Sequence, residues 1–309
     1  MLTAPMDTLK LHPVRKTKAQ KQAFQDDAIR YLTDQGYTCH TEKGTFGCVN
    51  IVAGDPEKAQ YQVTAHYDTP ARMPIPNLIT PCNLFTFLLY QTLVVVLMLG
   101  LMAAAFGILW FATGNEDLSL ILSYLFLWVL IGMMLFGPAN PTNANDNTSG
   151  VVTLLETAAA LPEIHRDKVC FVLFDLEESG LVGSAAYRKA HKAATDHQIV
   201  LNLDCVGDGN EIAMFPTKKL AKDRKKMLHL CKCVGRFGPK TISVIHKGFT
   251  YYPSDQKSFP YGVGIAAFNR KKGVGLYCDK IHTAKDTVLD ETNVNLLRAA
   301  LCSYISPDE

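Results

Sequence analysis

Two long uncharged segments constrain the fold of this chain more than any other feature. Leu84 to Ala112 contains 29 residues without an Asp, Glu, Lys or Arg, and Leu118 to Gly137 contains 20. About 20 apolar residues allow a helix to cross a bilayer core roughly 30 Å thick. The five residues between the segments are polar, so the pattern predicts a transmembrane hairpin that returns to its starting side. A pair of hydrophobic core helices is the alternative, although soluble helices are normally shorter and amphipathic.

The predicted hairpin divides the chain into two parts. Without residues 83–137, 254 of the 309 residues remain, which is the size of one α/β domain. We therefore expect residues 1–82 and 138–309 to form the first and second parts of one soluble domain. The membrane spans are expected at about 84–112 and 118–137.

Charge and cysteine content predict the side of the membrane on which the soluble domain lies. Residues 1–20 have no apolar core or small-residue cleavage site, so they do not read as a secretory signal. The turn between the spans has Glu116 and Asp117 but no basic residue, whereas Arg72 lies near a span on the other side. Nine cysteines without a framework pattern suggest reduced thiols. We predict a cell-membrane protein with a cytoplasmic soluble domain, and the net charge of +2 gives no reason to expect a nucleic-acid partner.

The soluble part alternates between predicted strands and helices. Val169–Phe174 and Ile199–Leu203 are continuous apolar runs, which are typical of strands buried on both faces. The alternation favours an α/β fold with a mostly parallel sheet covered by helices on both faces. The other predicted strands are 38–41, 45–52, 62–65, 211–215, 242–245 and 263–268, and the predicted helices are 17–35, 149–161, 179–194, 218–234 and 291–304.

Side chains of the kind that bind metals follow several predicted strands or lie in adjoining loops. The carboxyl ends of parallel strands meet at one edge of a sheet, where sites form in α/β proteins. Two imidazoles and several carboxylates at such an edge suit zinc. The candidates are His66 and Asp68 after strand 62–65, Glu177 and Glu178 after strand 169–174, Asp204 after strand 199–203, Asp146 before helix 149–161, and His282 in a polar loop.

The number of candidates is enough for two metal ions. Two metals that share one bridging carboxylate would need five ligand residues and would leave one acid free to handle water. Adjacent Glu177 and Glu178 point in different directions on an extended turn, so one can bind metal while the other acts as a base. Any one of these residues alone is more often a cap, a salt-bridge partner or a structural histidine.

The candidates fall in five motifs along the chain. The motifs are Ala65-His66-Tyr67-Asp68-Thr69, Asn145-Asp146-Asn147-Thr148-Ser149-Gly150, Glu177-Glu178-Ser179-Gly180-Leu181-Val182-Gly183-Ser184, Asn202-Leu203-Asp204 and His282-Thr283-Ala284-Lys285-Asp286-Thr287. In type and order they resemble the motifs of metallopeptidase family twenty-eight (clan MH), the co-catalytic two-zinc aminopeptidase family. The resemblance implies a zinc aminopeptidase-like three-layer α/β sandwich with a mostly parallel mixed sheet. The hairpin replaces the loop between the first and second motifs.

The resemblance also implies roles for the candidates. Two Zn²⁺ ions per subunit would be bound, with Asp146 bridging them. One site would be completed by His66 and Asp204, and the other by Glu178 and His282. The remaining implied roles are Glu177 as general base, Asp68 as the carboxylate that orients the His66 imidazole, and Tyr251 as oxyanion stabiliser.

At two places in the sequence the family's roles cannot be assigned directly. Tyr252 is adjacent to Tyr251, so the oxyanion assignment stays open, and a surface-loop aromatic is the alternative for Tyr251. Ser254-Asp255-Gln256 stands where the family usually has Ser-Asp-His, so we expect no metal ligand there.

The sequence thus predicts a membrane-anchored, zinc-dependent aminopeptidase that acts on peptides. A carboxypeptidase-like or cyclase-like enzyme on the same scaffold is one alternative, and a catalytically silent membrane receptor or scaffold is another. Asp146 lies only nine positions after Gly137, at most about 30 Å of extended chain. The hairpin therefore either favours peptides near the membrane or serves as a simple anchor.

Overall fold

The computed structural model describes residues 1–73, 75 and 77–306, and within this part a ten-stranded mixed β-sheet forms the centre of the fold. The strands are β1 (Cys39–Lys43), β2 (Val49–Ala53), β3 (Tyr61–His66), β4 (Val169–Phe174), β5 (Ile199–Leu203), β6 (Glu211–Pro216), β7 (Gly235–Phe237), β8 (Lys240–Val244), β9 (Gly262–Lys271) and β10 (Gly275–Tyr277). The helices are α1 (Thr8–Leu11), α2 (Lys18–Asp34), α3 (Leu84–Thr113), α4 (Glu116–Phe136), α5 (Gly150–Ala160), α6 (Val182–Ala190), α7 (Lys192–Thr195), α8 (Lys218–Lys222), α9 (Arg224–Leu230) and α10 (Glu291–Ile305).

The strand order places the predicted site at the middle of the sheet. The order is β1-β2-β4-β3-β5-β9-β6-β8-β7, with β10 paired to β9. The four strands β4, β3, β5 and β9 are mutually parallel, and antiparallel neighbours flank them. The carboxyl ends of the parallel strands therefore lie side by side at one edge of the sheet.

Side chains alternate between two covered faces along the central strands. In β4, Phe171 and Leu173 enter the large core that includes residues of α2, α5 and α10. Cys170 and Phe174 enter a second core on the opposite face, together with Tyr187 of α6. This period of two, with helices over both faces, confirms the predicted three-layer α/β sandwich with a mixed sheet.

Several element boundaries differ from the sequence-based predictions. Residues 45–47 form a tight turn before β2 rather than the start of a strand, with Phe46 at a positive φ of 54°. The predicted helix 218–234 is broken at Asp223, whose side chain accepts from the Lys226 N–H and caps α9. The predicted helix 179–194 begins only at Val182. The short strands β7 and β10 were not predicted, because three residues carry too little pattern.

Helices α3 and α4 form an antiparallel pair that projects apolar side chains outward. Asn83 caps the start of α3, and Gly114 ends it at φ 65° in the left-handed region that favours glycine. Both helices are long and apolar enough to cross a membrane by length and composition, and hardly any of their side chains are buried. Exposed apolar surface of this extent is typical of a membrane or protein contact rather than of a soluble core helix.

Candidate metal centre

The first part of the candidate centre lies at the ends of β3 and β5. The His66 side chain is only 1% exposed, and its Nε2 lies 3.3 Å from Asp146 Oδ1 and 3.6 Å from Asp204 Oδ1. The other ring nitrogen, Nδ1, lies 3.1 Å from the carbonyl oxygen of Asp68. A proton on Nδ1 would be donated to that carbonyl, which leaves the Nε2 lone pair facing the two carboxylates. We call His66, Asp146 and Asp204 the deep group.

The second part is built on turns rather than on strand ends. His282 Nε2 lies 3.0 Å from Asp146 Oδ2 and 3.4 Å from Glu178 Oε2. The His282 carbonyl accepts from the N–H of Met73, which fixes the loop to the segment that leads into the hairpin. The His282 and Glu178 side chains are 19% and 13% exposed. We call Asp146, Glu178 and His282 the outer group.

Asp146 belongs to both groups, and its two oxygens face different imidazoles. Its backbone is held by Asp286, whose carboxylate accepts from the N–H groups of Asn145 (2.7 Å) and Asp146 (3.0 Å). On the other side, the Asn147 side chain accepts from Cys205 N–H and donates to Leu203 O, at the end of β5. The peptide between Asp146 and Asn147 is cis. The hydrogen bonds of Asp286 and Asn147 hold the shared carboxylate between the strand ends and the His282 loop.

Asp68 supports both groups at once. Its Oδ1 lies 3.4 Å from His66 Nδ1 and accepts from the N–H of Glu177 at 3.0 Å. Its Oδ2 accepts from the N–H of Glu178 at 3.3 Å. One buried carboxylate therefore orients the deep imidazole and fixes the turn that presents both glutamates.

The electrostatics of the centre are those of crowded carboxylates. Burial raises the pKa of Glu177 well above the ordinary value, and the charge of Glu178 adds to the effect. Burial and the charge of Asp146 likewise raise the pKa of Glu178. Burial alone would lower the pKa of His66, but the surrounding carboxylates reverse the effect and raise it. Negative charge therefore exceeds what the two imidazoles compensate, which favours a bound cation.

The spacing of the ligand atoms and one unpartnered oxygen also indicate that these residues could hold metal ions. Ligand atoms lie within 4.8 Å of one another in the deep group, in the outer group, and in a third set of His66, Glu177 and Glu178. The second oxygen of Glu178, Oε1, is buried and has no hydrogen-bond partner among the described residues. A buried carboxylate oxygen without a donor is costly unless a cation completes it.

The two neighbouring tyrosines have different environments. Tyr252 is buried, and its hydroxyl donates to the carbonyl oxygen of Asp204 at 3.0 Å. Tyr251 is 41% exposed and lines the cavity in front of the centre, and Lys257 Nζ lies 4.3 Å from the centroid of its ring. Tyr252 is thus engaged in holding Asp204, and Tyr251 is the one that substrate could meet.

Three contributing residues escaped the sequence-based predictions. Asp286 lies inside a quoted motif, but its role requires knowing that it contacts the Asn145–Asp146 backbone. Arg15 is fully buried, with its guanidinium donating to Tyr67 O and Thr148 Oγ1, and burial lowers its pKa to about 10.

Asp255 is buried with both carboxylate oxygens unpartnered among the described residues. Burial raises its pKa to about 7, although the charge of His66 opposes the shift.

The cavity in front of the centre has a volume of about 370 Å³, within the range of small-ligand pockets. The candidate ligands and Glu177 form its floor, and mostly apolar side chains form its walls. Two wall residues, Phe87 and Gln91, come from the first turns of α3. The hairpin therefore contributes directly to the space that a substrate would occupy.

Comparison with solved structures shows the class of fold: an α/β sandwich that matches the folds of zinc exopeptidases. A Zn-dependent exopeptidase from Parabacteroides distasonis matches with a TM-score of 0.61 at 14% identity, covering 98% of this chain and 96% of that one. A glutaminyl cyclase from Porphyromonas gingivalis matches with a TM-score of 0.60 at 16% identity, covering 98% and 95%. The LapA aminopeptidase of Legionella pneumophila matches with a TM-score of 0.58 at 16% identity, covering 98% and 70%.

Sequence comparison then gives the family. The sequence model of Peptidase family M28 matches residues 132–302, more than half of the chain, so the chain belongs to this family of peptide hydrolases. A 79-residue stretch is 39% identical to Aminopeptidase YwaD of Bacillus subtilis (strain 168). That stretch covers 25% of this chain and 17% of the curated relative. The family resemblance expected from the five motifs is confirmed.

Proposed function

We propose that the protein is a membrane-anchored aminopeptidase that uses two zinc ions. The observation that supports this most is the position of Asp146, whose two oxygens face His66 and His282 at 3.3 Å and 3.0 Å. A carboxylate shared in this way by two ligand groups suits a bridge between two metals. His66 and Asp204 would complete the deep site, and Glu178 and His282 the outer site. Bound zinc supplies acidification of a coordinated water, whose pKa falls toward about 7, and polarisation of the substrate carbonyl.

Glu177 would be the general base. It belongs to neither the deep nor the outer group, yet it lies within 4.8 Å of ligand atoms of His66 and Glu178. Burial raises the pKa of Glu177 well above that of an ordinary carboxyl group, and a stronger base accepts a proton from water more readily. Glu177 would take a proton from the attacking water and deliver it to the leaving amine.

Tyr251 and Asp68 would assist this reaction in different ways. The exposed face of Tyr251 on the cavity suits donation of its hydroxyl to the developing oxyanion. Asp68 would act as a positioning residue, through His66 and the Glu177–Glu178 turn.

A substrate panel tests the direction and type of reaction. Purified full-length protein, assayed with zinc, is expected to release the first residue of peptides with a free amine and to leave N-acetylated peptides intact. Because a glutaminyl cyclase shares the fold, the panel includes a peptide beginning with glutamine. Cyclisation of that peptide without hydrolysis of the others would contradict the proposal, and so would release of C-terminal residues from N-acetylated peptides.

The hairpin would anchor the enzyme with its soluble domain in the cytoplasm. Lys16 Nζ lies 3.4 Å from Leu135 O in the last turn of α4, so a basic residue lies where the hairpin meets the domain. The distal turn has Glu116 and Asp117 instead.

Labelling of intact cells tests this topology. A membrane-impermeant maleimide is expected to label Glu116→Cys in intact cells, because residue 116 is exposed at the distal turn. The unmodified protein, whose exposed Cys231 lies in the soluble domain, should be labelled only after lysis. Labelling of Cys231 in intact cells would show that the soluble domain lies on the outer side. Recovery of the protein in the soluble fraction after lysis, rather than with the membranes, would contradict anchoring.

A further inference from the structure

The base of the hairpin is fixed to the peptidase domain close to the candidate centre. Ile79 and Cys278 exchange backbone hydrogen bonds of 2.8 Å and 3.0 Å. The Asn83 side chain, which caps α3, donates to the carbonyl oxygens of Gly273 and Val274. The position of the first turns of α3 relative to the soluble domain is therefore set by specific bonds.

Phe87 lies in an aromatic cluster at the cavity wall. Its ring centroid is 5.1 Å from that of Tyr251 and 6.0 Å from that of Phe249. The N–H of Tyr251 donates to Pro81 O at 2.9 Å, which joins the tyrosine loop to the segment that enters the helix. Phe87 is half-buried, whereas Phe85 on the same helix is 76% exposed and does not line the cavity.

The walls and the floor of the cavity differ in chemistry. The floor carries the imidazoles and carboxylates of the centre, and a free substrate amine and the scissile carbonyl would meet these groups. The walls nearest the hairpin are mostly apolar, although Asn77, Thr80 and Gln91 also line the cavity, and no Lys or Arg side chain lines it among the described residues. The apolar wall residues include Leu78, Ile79, Phe87, Tyr251, Pro253 and Ile281.

We propose that the first turns of α3 form one wall of the subsite that receives the side chain of the substrate's first residue, and that Phe87 selects large apolar side chains there. The inference rests on the proposed aminopeptidase function and names its substrate class: peptides that begin with residues such as leucine, phenylalanine or methionine. Burial of such a side chain against this wall stabilises the bound substrate. A glycine residue has no side chain to bury, and a charged side chain would lose its hydration there. The hairpin is then part of the specificity pocket as well as an anchor.

Kinetics on full-length protein in detergent or nanodiscs test the subsite. The unmodified protein is expected to cleave leucyl amides with a kcat/KM about tenfold or more above that for glycyl amides. Phe87→Ala should lower the leucyl value by about tenfold, mainly through KM, and change the glycyl value little. Phe85→Ala is the matched control, because it removes the same ring from the same helix away from the cavity, and it should leave both values unchanged.

Calorimetric binding of leucinamide and glycinamide separates this inference from the proposed function. If no substrate is hydrolysed but leucinamide binds more tightly than glycinamide, and Phe87→Ala removes the difference, the subsite stands and the aminopeptidase proposal fails. If hydrolysis occurs but Phe87→Ala lowers leucyl and glycyl values equally, or Phe85→Ala has the same effect, the subsite is wrong and the function stands. Equal binding of both amides to the unmodified protein would also overturn the subsite.

Discussion

The deep and outer groups share Asp146 but differ in how the fold holds them. The proposed deep ligands His66 and Asp204 lie at the ends of adjacent parallel strands, and the His66 side chain is 1% exposed. The proposed outer ligands Glu178 and His282 lie on turns, with side chains 13% and 19% exposed. Strand ends in the middle of a sheet are held rigidly by their neighbours, whereas turns that border a cavity can move more easily. The comparison predicts a tightly held deep metal and an outer metal that exchanges first.

Removing the shared ligand should have the largest effect on metal content. Asp146→Ala is expected to lose zinc from both groups, because each would keep only two of its three ligands. Metal analysis of purified protein by mass spectrometry should fall from two zinc ions per chain toward none, with activity abolished. Retention of one tightly bound zinc would show that Asp146 serves a single site.

Removing an outer ligand should separate the two groups. His282→Ala is expected to retain one zinc per chain, since the deep ligands do not depend on the 282 loop. The same metal analysis should therefore give a value near one. Loss of both metals would mean that the two groups bind cooperatively and that the proposed difference between them is wrong.

Removing the base should leave both metals in place. Glu177→Gln keeps the shape of the side chain but cannot accept a proton, so kcat is expected to fall by about 10²- to 10⁴-fold. Metal content should stay at two per chain. Glu178→Gln is the adjacent comparison, and it should lose outer metal as well as activity. Near-normal activity of Glu177→Gln would overturn its assignment as base.

The smallest expected effect is on the pH dependence of protein stability, through the buried carboxylate of Asp255. Asp255 is buried, with a pKa raised to about 7, so its ionisation favours the unfolded state. Its contribution to stability is fully present below the unfolded pKa of about 3.9 and is lost as pH rises to about 7. In metal-free protein, the unfolding temperature of Asp255→Asn minus that of the unmodified protein should therefore increase from pH 5 to pH 7.5.

A surface carboxylate provides the control for this pH effect. Asp26 is exposed on α2, where it accepts a hydrogen bond from Gln22. Asp26→Asn should shift the unfolding temperature by the same amount at both pH values. If Asp255→Asn behaves like Asp26→Asn, the buried carboxylate is not ionised as described.

The sequence was informative where chemistry follows a local pattern. Apolar runs such as Val169–Phe174 predicted the central strands, and the residues just beyond them included His66 and Asp204 of the deep group. The same local patterns missed contacts made across the chain. Asp286 reaches the backbone of Asp146 over 140 positions, and Phe87 reaches the cavity only because the hairpin is fixed to the domain. Neither relation leaves a periodic signal.

The adjacent tyrosines show the same limit at one position. The sequence could not distinguish the roles of Tyr251 and Tyr252, because the difference between them lies in their burial and contacts in the fold. The structure separates them, since Tyr252 donates to Asp204 O while Tyr251 faces the cavity. The break of helix 218–234 at Asp223 is a related case, in which a side-chain cap overrides a continuous helical composition.

Anomalous diffraction at the zinc edge, on crystals of the full-length protein purified without chelator, tests the central claim most directly. We expect two peaks, one on each side of the Asp146 carboxylate, with the first bound by His66 and Asp204 and the second by Glu178 and His282. A single peak that does not contact Asp146, or peaks that leave either histidine unbound, would contradict the two-metal centre.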